Sequence, residues 1–270
     1  MGHQGGLFEG NADEVVYTPI VSDATRVAAL ISGEVDLVND PPPQDVPRLD
    51  ADARASRCSR AWRTASCSSA WTSARDELLY SNVKGKNPFK DKRVRQALYQ
   101  AVDIEAIKKN TMRGLSKPVG RDAALADARS TPEIEKRLPF DRERAKKLLA
   151  DAGYPNGFEV TLDCPNNRYV NDEKICQALA AMWSQIGVEH QGQRDAARAS
   201  TSRSSRRPTR ASTCWAGAAA PTDAIFILQP VLSTHNGKGD GDYNYGRYTN
   251  PKLDELTGED QGRHKCRISG

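Results

Sequence analysis

From Asp50 to Glu77 the chain passes without one Leu, Ile, Val, Phe or Met. This stretch is nearly all Ala, Ser and Arg, with Trp62 and Trp71 as its only large apolar residues. A second such desert runs from Gln191 to Thr213, and Arg121 to Ser130 has a similar make-up. Text of this kind buries too little apolar surface to offset the entropy of ordering a chain. Structured blocks are therefore expected to alternate with segments of low order at 50–77, 121–130 and 190–213, followed by a disordered tail at 257–270. Over all 270 residues only 38% are apolar, against roughly 45–50% in an average soluble domain.

Several classes fall away on composition. No run of about 18 apolar residues is present, which excludes a transmembrane helix in this sequence. The first ten residues carry neither a basic n-region nor an apolar h-region, so no signal peptide is read in this chain. A net charge of +4 is too small to imply a nucleic-acid partner by itself. The six cysteines form no CxxC pair, which argues against a zinc ribbon or a thioredoxin-type site.

The structured blocks read as α/β. In the first, Val15–Tyr17 with Ile20 suits a strand, and Ser22 or Asp23 caps a helix bearing Val27, Leu30 and Ile31, with Gly33 behind it. Val35, Leu37 and Val38 suggest a second strand, stopped by Pro41–Pro43, so the block reads as a small βαβ unit. In the second, Leu78–Tyr80 with Val83 reads as a strand. Asp91 caps a helix with Val94, Ala97, Leu98 and Ala101 inward, and Asp103 caps another with Ile104 and Ile107. Asp141 precedes the stripe Ala145, Leu148, Leu149, Ala152, which Gly153 and Pro155 end. Phe158, Val160 and Leu162 alternate as a strand, and Asp172 opens a helix with Ile175, Leu179, Met182 and Ile186 on one side. The last block runs from Cys214-Trp215 through Ile225–Leu228 to a Gly/Asp/Asn/Tyr loop and a short polar helix from Pro251 to Leu256.

Catalytic and metal signatures are missing. There is no GxSxG, HExxH or P-loop, and the four His are scattered without carboxylate or thiol at ligand spacing. Asp240-Gly-Asp242-Tyr-Asn244-Tyr245 imitates half of a calcium loop, but Tyr245 stands where glycine is required and Pro251 where a glutamate should close it. No enzyme, cofactor or metal site is expected. Cys164 and Cys176 flank a polar turn, and a local disulfide or two unrelated thiols both remain open. Six Arg between positions 194 and 210 have the look of an arm that neutralises phosphates, although no aromatic residue is interleaved for base stacking.

A resemblance rests on collinear motifs. Val15–Leu49 is one. The most specific is Leu79–Gly114, with Asn82, Asn87-Pro88-Phe89, Asp91, Arg93-Val94-Arg95, Ala97, Ala101-Val102-Asp103 and Arg113-Gly114. Pro139–Gly187 follows, then Cys214-Trp215, and Tyr248-Thr-Asn250-Pro251-Lys-Leu-Asp254-Glu-Leu256 closes the match. These blocks resemble the family 5 extracellular solute-binding proteins of ABC importers, the dipeptide-, oligopeptide- and nickel-binding receptors. The deserts interrupt the resemblance and the register resumes after them, as a compensated pair of frameshifts in GC-rich DNA would leave it.

The resemblance implies an α/β fold of periplasmic-binding-protein-like (type II) lobes, incomplete, with 1–49 a remnant of the first lobe, 50–77 near the hinge and 78–256 the second lobe. It implies capture rather than catalysis: peptides or similar small solutes held between lobes and delivered to membrane permease subunits, in the periplasm or extracellular and membrane-associated, with no nucleic acid involved. The hinge crossing is expected near 76–82. Peptide-binding members hold the ligand's amino group with an Asp shortly after the Gly-Trp pair; here that position is Ala218, within Ala216-Gly217-Ala218. Asp223 either replaces it or caps a helix, Trp215 either lines the cleft or packs in the core, and Asn244 and Tyr245 are cleft-edge contacts or turn residues. With much of one lobe absent, ligand affinity is expected to be weak. The alternative reading is an Arg-rich nucleic-acid-interacting protein.

Overall fold

The computed structural model describes residues 14–52, 65–73, 75–78, 80–118, 136–163, 170–190, 212–218, 228–244 and 246–258, with 65–70, 163 and 212–218 described by backbone alone. The chain divides into two compact units between Ser59 and Arg60.

The first unit holds α1 (Asp23–Ser32) and α2 (Val46–Ala51). Ser22 caps α1 by accepting from the Thr25 amide, and Gly33, at φ 80°, closes it by donating to the Ala29 and Leu30 carbonyls. The Arg26 guanidinium donates to the carbonyls of Ile20 and Asp40 and to the Asp23 carboxylate, tying the chain on both sides of the helix together. The expected βαβ unit is not formed: neither 14–22 nor 35–39 is a strand. Val15, Val16, Tyr17, Val21 and Leu37 are all more than three-quarters exposed. Among the described residues of this unit there is no strand for either segment to pair with, and a strand without a ladder has nothing to hold it extended.

The second unit begins with β1 (Ala65–Trp71). A tight turn at Pro88–Lys90 then leads into α3 (Lys92–Gln100), and α4 (Ile104–Ala106) widens into a π turn at Ile107–Thr111. After α5 (Arg142–Asp151) come β2 (Phe158–Val160), β3 (Leu162–Asp163), α6 (Asp172–Ser184) and β4 (Val188–His190). β5 (Ser212–Ala218), a π turn at Leu228–Leu232 and α7 (251–258) complete it. β1, β5 and β3 form one sheet in that order, β1 antiparallel and β3 parallel to β5. β2 and β4 form a separate parallel pair.

β1 is a correction to the sequence reading, which leaves 50–77 without structure. Its seven residues pair in full with β5, from Ala65 opposite Ala218 to Trp71 opposite Ser212. Backbone pairing supplies what the side-chain composition lacks. The expected strand at 78–83 is a turn instead, with Leu78 buried and Tyr80 half-exposed. The segment 76–82, where the hinge is expected, is tied to the second unit at Ser81 and Asn82. The Ser81 hydroxyl donates to the Glu159 carbonyl at 2.6 Å, and Asn82 Oδ1 accepts from the Glu159 amide, so this turn is pinned to β2 inside the second unit.

The helices of the second unit follow their sequence signals. Asp91, Asp103 and Asp141 each accept from a first-turn amide, and Val94, Ala97, Leu98, Ala101, Ile107, Ala145 and Leu149 enter one core with Phe158, Val160, Leu179, Trp183, Ile186 and Val188. α6 presents Leu179 and Trp183 to that core, leaving Ile175 and Met182 partly buried at its edge; Cys176 is buried on the same helix. Trp183 is the hub: its indole N–H donates to the Leu98 carbonyl at 2.9 Å, and its ring meets Trp71 at 5.2 Å. Trp71 in turn meets Phe89 at 4.8 Å, so the apolar-poor segment delivers one large anchor to the core. β2 and β4 start where Gly157 and Gly187 touch; a Cβ on Gly157 would lie 1.8 Å from the Gly187 carbonyl oxygen. Cys176 is disulfide-bonded, which removes the free-thiol reading for it, while Cys164 lies outside the described residues.

Candidate functional site

Most of the motif residues that carry the family resemblance serve as scaffold. Asn87 donates its side-chain amide to the carbonyls of Thr72 and Arg75 and accepts from the Phe89 amide, locking the exit of β1 onto the turn before α3. Pro88 and Phe89 are buried. Arg93 forks onto Asp91 and donates to the Asp151 carbonyl at the end of α5. The hydrogen bond from Arg93 holds the Asp91 carboxyl below its ordinary value. Arg95 donates to the Phe89 and Lys90 carbonyls. Asp254 accepts from both the hydroxyl and the amide of Thr234, which likewise lowers its pKa.

Trp215, Ala216, Gly217 and Ala218 all lie on β5, where Trp215 stands opposite Ser68 and Ala218 opposite Ala65. Asp223 and Tyr245 lie outside the described residues. Asn244 is described and buried: its amide donates to the Ser233 and Tyr248 carbonyls, and its oxygen accepts from the Tyr248 amide. Every hydrogen-bonding direction of that side chain but one acceptor lone pair is spent inside the loop. Of its two readings, cleft-edge contact or turn residue, these bonds describe the organiser of the 233–248 turn, with one acceptor lone pair uncommitted. This turn docks on the exit of β1, where the Ser73 amide and hydroxyl both donate to the Gly246 carbonyl. Trp71 at that exit pairs with Ser212, so the turn sits at one end of β5 and Ala218 at the other, roughly 20 Å along the strand. The structure does not bring the two groups together.

The Asp240 side chain of the imitation calcium loop is also committed, accepting from Gln229 and Asn236. Among the described residues no cluster of three His, Cys, Asp or Glu side chains is placed to hold a metal. No helix among them is long and apolar enough to cross a membrane. The six Arg of 194–210 lie outside the described residues.

Two features escape a reading by motif. His190, at the carboxyl end of the β2–β4 pair, stacks on Trp183 at 5.1 Å, and both its ring nitrogens are buried. Burial pulls its pKa from 6.5 down to about 4, so the ring is neutral at physiological pH. A broad depression also lies over the outer face of α3, lined by Lys92, Arg95, Gln96, Leu138 and Tyr248. The helical spacing of its floor is legible in the sequence, whereas its two walls come from segments far along the chain.

Comparison with known proteins now settles the family. Residues 8–238 match the profile of the bacterial extracellular solute-binding proteins, family 5 Middle. The chain belongs to this family. Among family 5 proteins it is similar to the glutathione-binding protein GsiB of Pectobacterium atrosepticum, with 27% identity over 249 residues, 90% of this chain and 45% of that protein. It is similar to the solved structure of HbpA2 from Haemophilus parasuis, at 26% identity and a TM-score of 0.59, covering 88% of this chain and 44% of the other. The fold also matches the ABC transporter-associated periplasmic binding protein DppA from Helicobacter pylori, solved with the peptide STSA, at 20% identity and a TM-score of 0.63, with 89% and 44% coverage. The type II periplasmic-binding-protein-like α/β fold expected from the motifs is therefore the fold of the family 5 chain described here. The chain spans about half the length of the family 5 relatives it matches.

Proposed function

We propose that this family 5 chain serves solute capture for an ABC importer, taking peptides or similar small solutes for delivery to membrane permease subunits rather than transforming them. The observation that carries the reading is the profile match over residues 8–238, together with relatives whose names describe binding of glutathione or of a peptide. The disulfide at Cys176 supports action in an oxidising compartment such as the periplasm. β5, with Trp215 to Ala218, remains the candidate ligand strand, and its lack of a carboxylate at Ala218 argues against amine anchoring at that position.

Calorimetric titration of the full chain with reduced glutathione and with a tripeptide pool tests this. Saturable binding without change in the peptides' masses supports the reading. Cleavage or modification of the peptides overturns capture in favour of an enzyme. Failure of any peptide to bind at millimolar concentration, with tight salt-sensitive binding of RNA instead, overturns it in favour of the Arg-rich alternative.

A further inference from the structure

α3 turns Val94, Ala97, Leu98 and Ala101 into the core. Its opposite face carries Lys92, Arg95, Gln96 and Tyr99, spaced i, i+3, i+4 and i+7, so that the four side chains stack along one stripe. A stripe like this ordinarily meets open solvent. Here Lys92, Arg95 and Gln96 form the floor of a broad, open depression of about 620 Å³. Leu138 forms one wall and Tyr248 the other.

Both walls are held from behind. The segment bearing Leu138 is tied to α3 where the Asp141 amide donates to the Gln100 carbonyl at 2.9 Å and the Gln100 side chain donates to the Pro139 carbonyl. Tyr248 is fixed at three points: its carbonyl and amide both engage Asn244, and its hydroxyl accepts from Asn250. Arg95 is set by its hydrogen bonds to the Phe89 and Lys90 carbonyls. At the far end of the stripe the Arg137 guanidinium lies over the Tyr99 ring at 4.9 Å, adding a third positive charge near the rim. Among the described residues no acidic side chain lines the depression, and the nearby Asp91 is engaged as the cap of α3 and by Arg93. The surface thus combines two cations, an amide, an aliphatic wall and an aromatic wall, with Arg95 and both walls held before any ligand arrives.

We propose that this depression is an accessory binding site for a small amphipathic anion, a carboxylate carried on an aryl or alkyl body. The carboxylate meets Lys92, Arg95 and the Gln96 amide, and the apolar body lies between Leu138 and Tyr248. The site is separate from β5 and does not rest on the solute-capture reading. Its charge selects anions, and its held walls reduce the ordering cost of binding.

Titration of the ¹⁵N-labelled full chain with 4-phenylbutyrate, followed by amide chemical shifts, tests the site. Shifts should cluster at 92–99, 138 and 248 and saturate, while 4-phenylbutylamine, which has the same body with the opposite charge, should leave them unmoved. Lys92→Glu should weaken phenylbutyrate binding at least fivefold and Lys92→Arg should retain it; both substitutions are on an exposed position, and an unchanged circular dichroism spectrum confirms the fold. Leu138→Ala should weaken phenylbutyrate more than acetate. Equal binding of the acid and the amine, unchanged affinity in Lys92→Glu, or shifts centred on β5 would each overturn the proposal. Displacement of phenylbutyrate by the tripeptide pool would show instead that peptides use this depression, and the site would cease to be an accessory one.

Discussion

Residues 14–21 and 65–71 invert what their compositions promise. The first segment is Glu-Val-Val-Tyr-Thr-Pro-Ile-Val, β-branched and aromatic, yet it is extended without a ladder and most of its large side chains lie in solvent. The second is Ala-Ser-Cys-Ser-Ser-Ala-Trp, with one large apolar residue, and it pairs along its whole length with β5. The difference lies in the partner. Strand propensity describes how side chains fit a pleated surface that already exists, and it cannot replace the neighbouring backbone. β1 also ends in Trp71, whose contacts with Phe89 and Trp183 anchor the ladder to the core. Among the described residues nothing comparable holds Val15 or Val16.

This contrast is sharpened most by removing the anchor. Trp183→Ala takes away a ring that is 2% exposed and meets Trp71, and should cost about 3–5 kcal/mol in urea unfolding. β1 amides should then lose hydrogen-exchange protection together with α6. A loss under about 1 kcal/mol would mean that Trp183 does not couple β1 to the core. Gly157→Ala comes next. With φ at +73° and a new Cβ 1.8 Å from the Gly187 carbonyl oxygen, it should cost at least about 2 kcal/mol. Gly33→Ala, at φ +80° but with nothing within 4 Å of its new Cβ, should cost less in the same assay.

His190 separates the units by pH. Its ring is harder to protonate in the folded state, with a pKa of about 4 against 6.5 unfolded. The folded state therefore binds fewer protons across that window, and stability falls as pH drops from 6.5 toward 4. The slope approaches about 1.4 kcal/mol per pH unit. His190→Phe should flatten this part of the stability curve for the second unit; an unchanged slope would show that His190 is solvated. The smallest effect belongs to the first segment. Val16→Ser, at a position 77% exposed, should change stability by less than about 0.5 kcal/mol. A cost above 1 kcal/mol would break the comparison by showing that 14–21 is packed as a strand.

Much of the scaffold was legible because its signals are local. Asp91, Asp103 and Asp141 sit one residue before their helices and cap them within a turn, and the inward stripes of α3 and α5 follow the helical period. The same locality made the site hard to read. Asn244 resembles a polar contact at a loop edge, but its three hydrogen bonds reach Ser233 and Tyr248, partners that a spacing rule does not name. The motif Asn87-Pro88-Phe89 was recognised as characteristic of a family, whereas its task, gripping the exit of β1 through the Thr72 and Arg75 carbonyls, required the fold. The floor of the α3 depression was visible as a stripe. Leu138 and Tyr248 reach it through contacts from elements distant in sequence.

By itself the sequence determined the family, the helices with their caps and inward faces, and the shortage of apolar residues between them, since each depends on residues within a few positions of one another. Tertiary structure alone decided which segments became strands, that the 81–82 turn is pinned to β2, and which polar side chains are committed to internal hydrogen bonds. Those outcomes depend on long-range backbone pairing and on the burial of hydrogen-bonding groups, which no stretch of sequence settles without its partner.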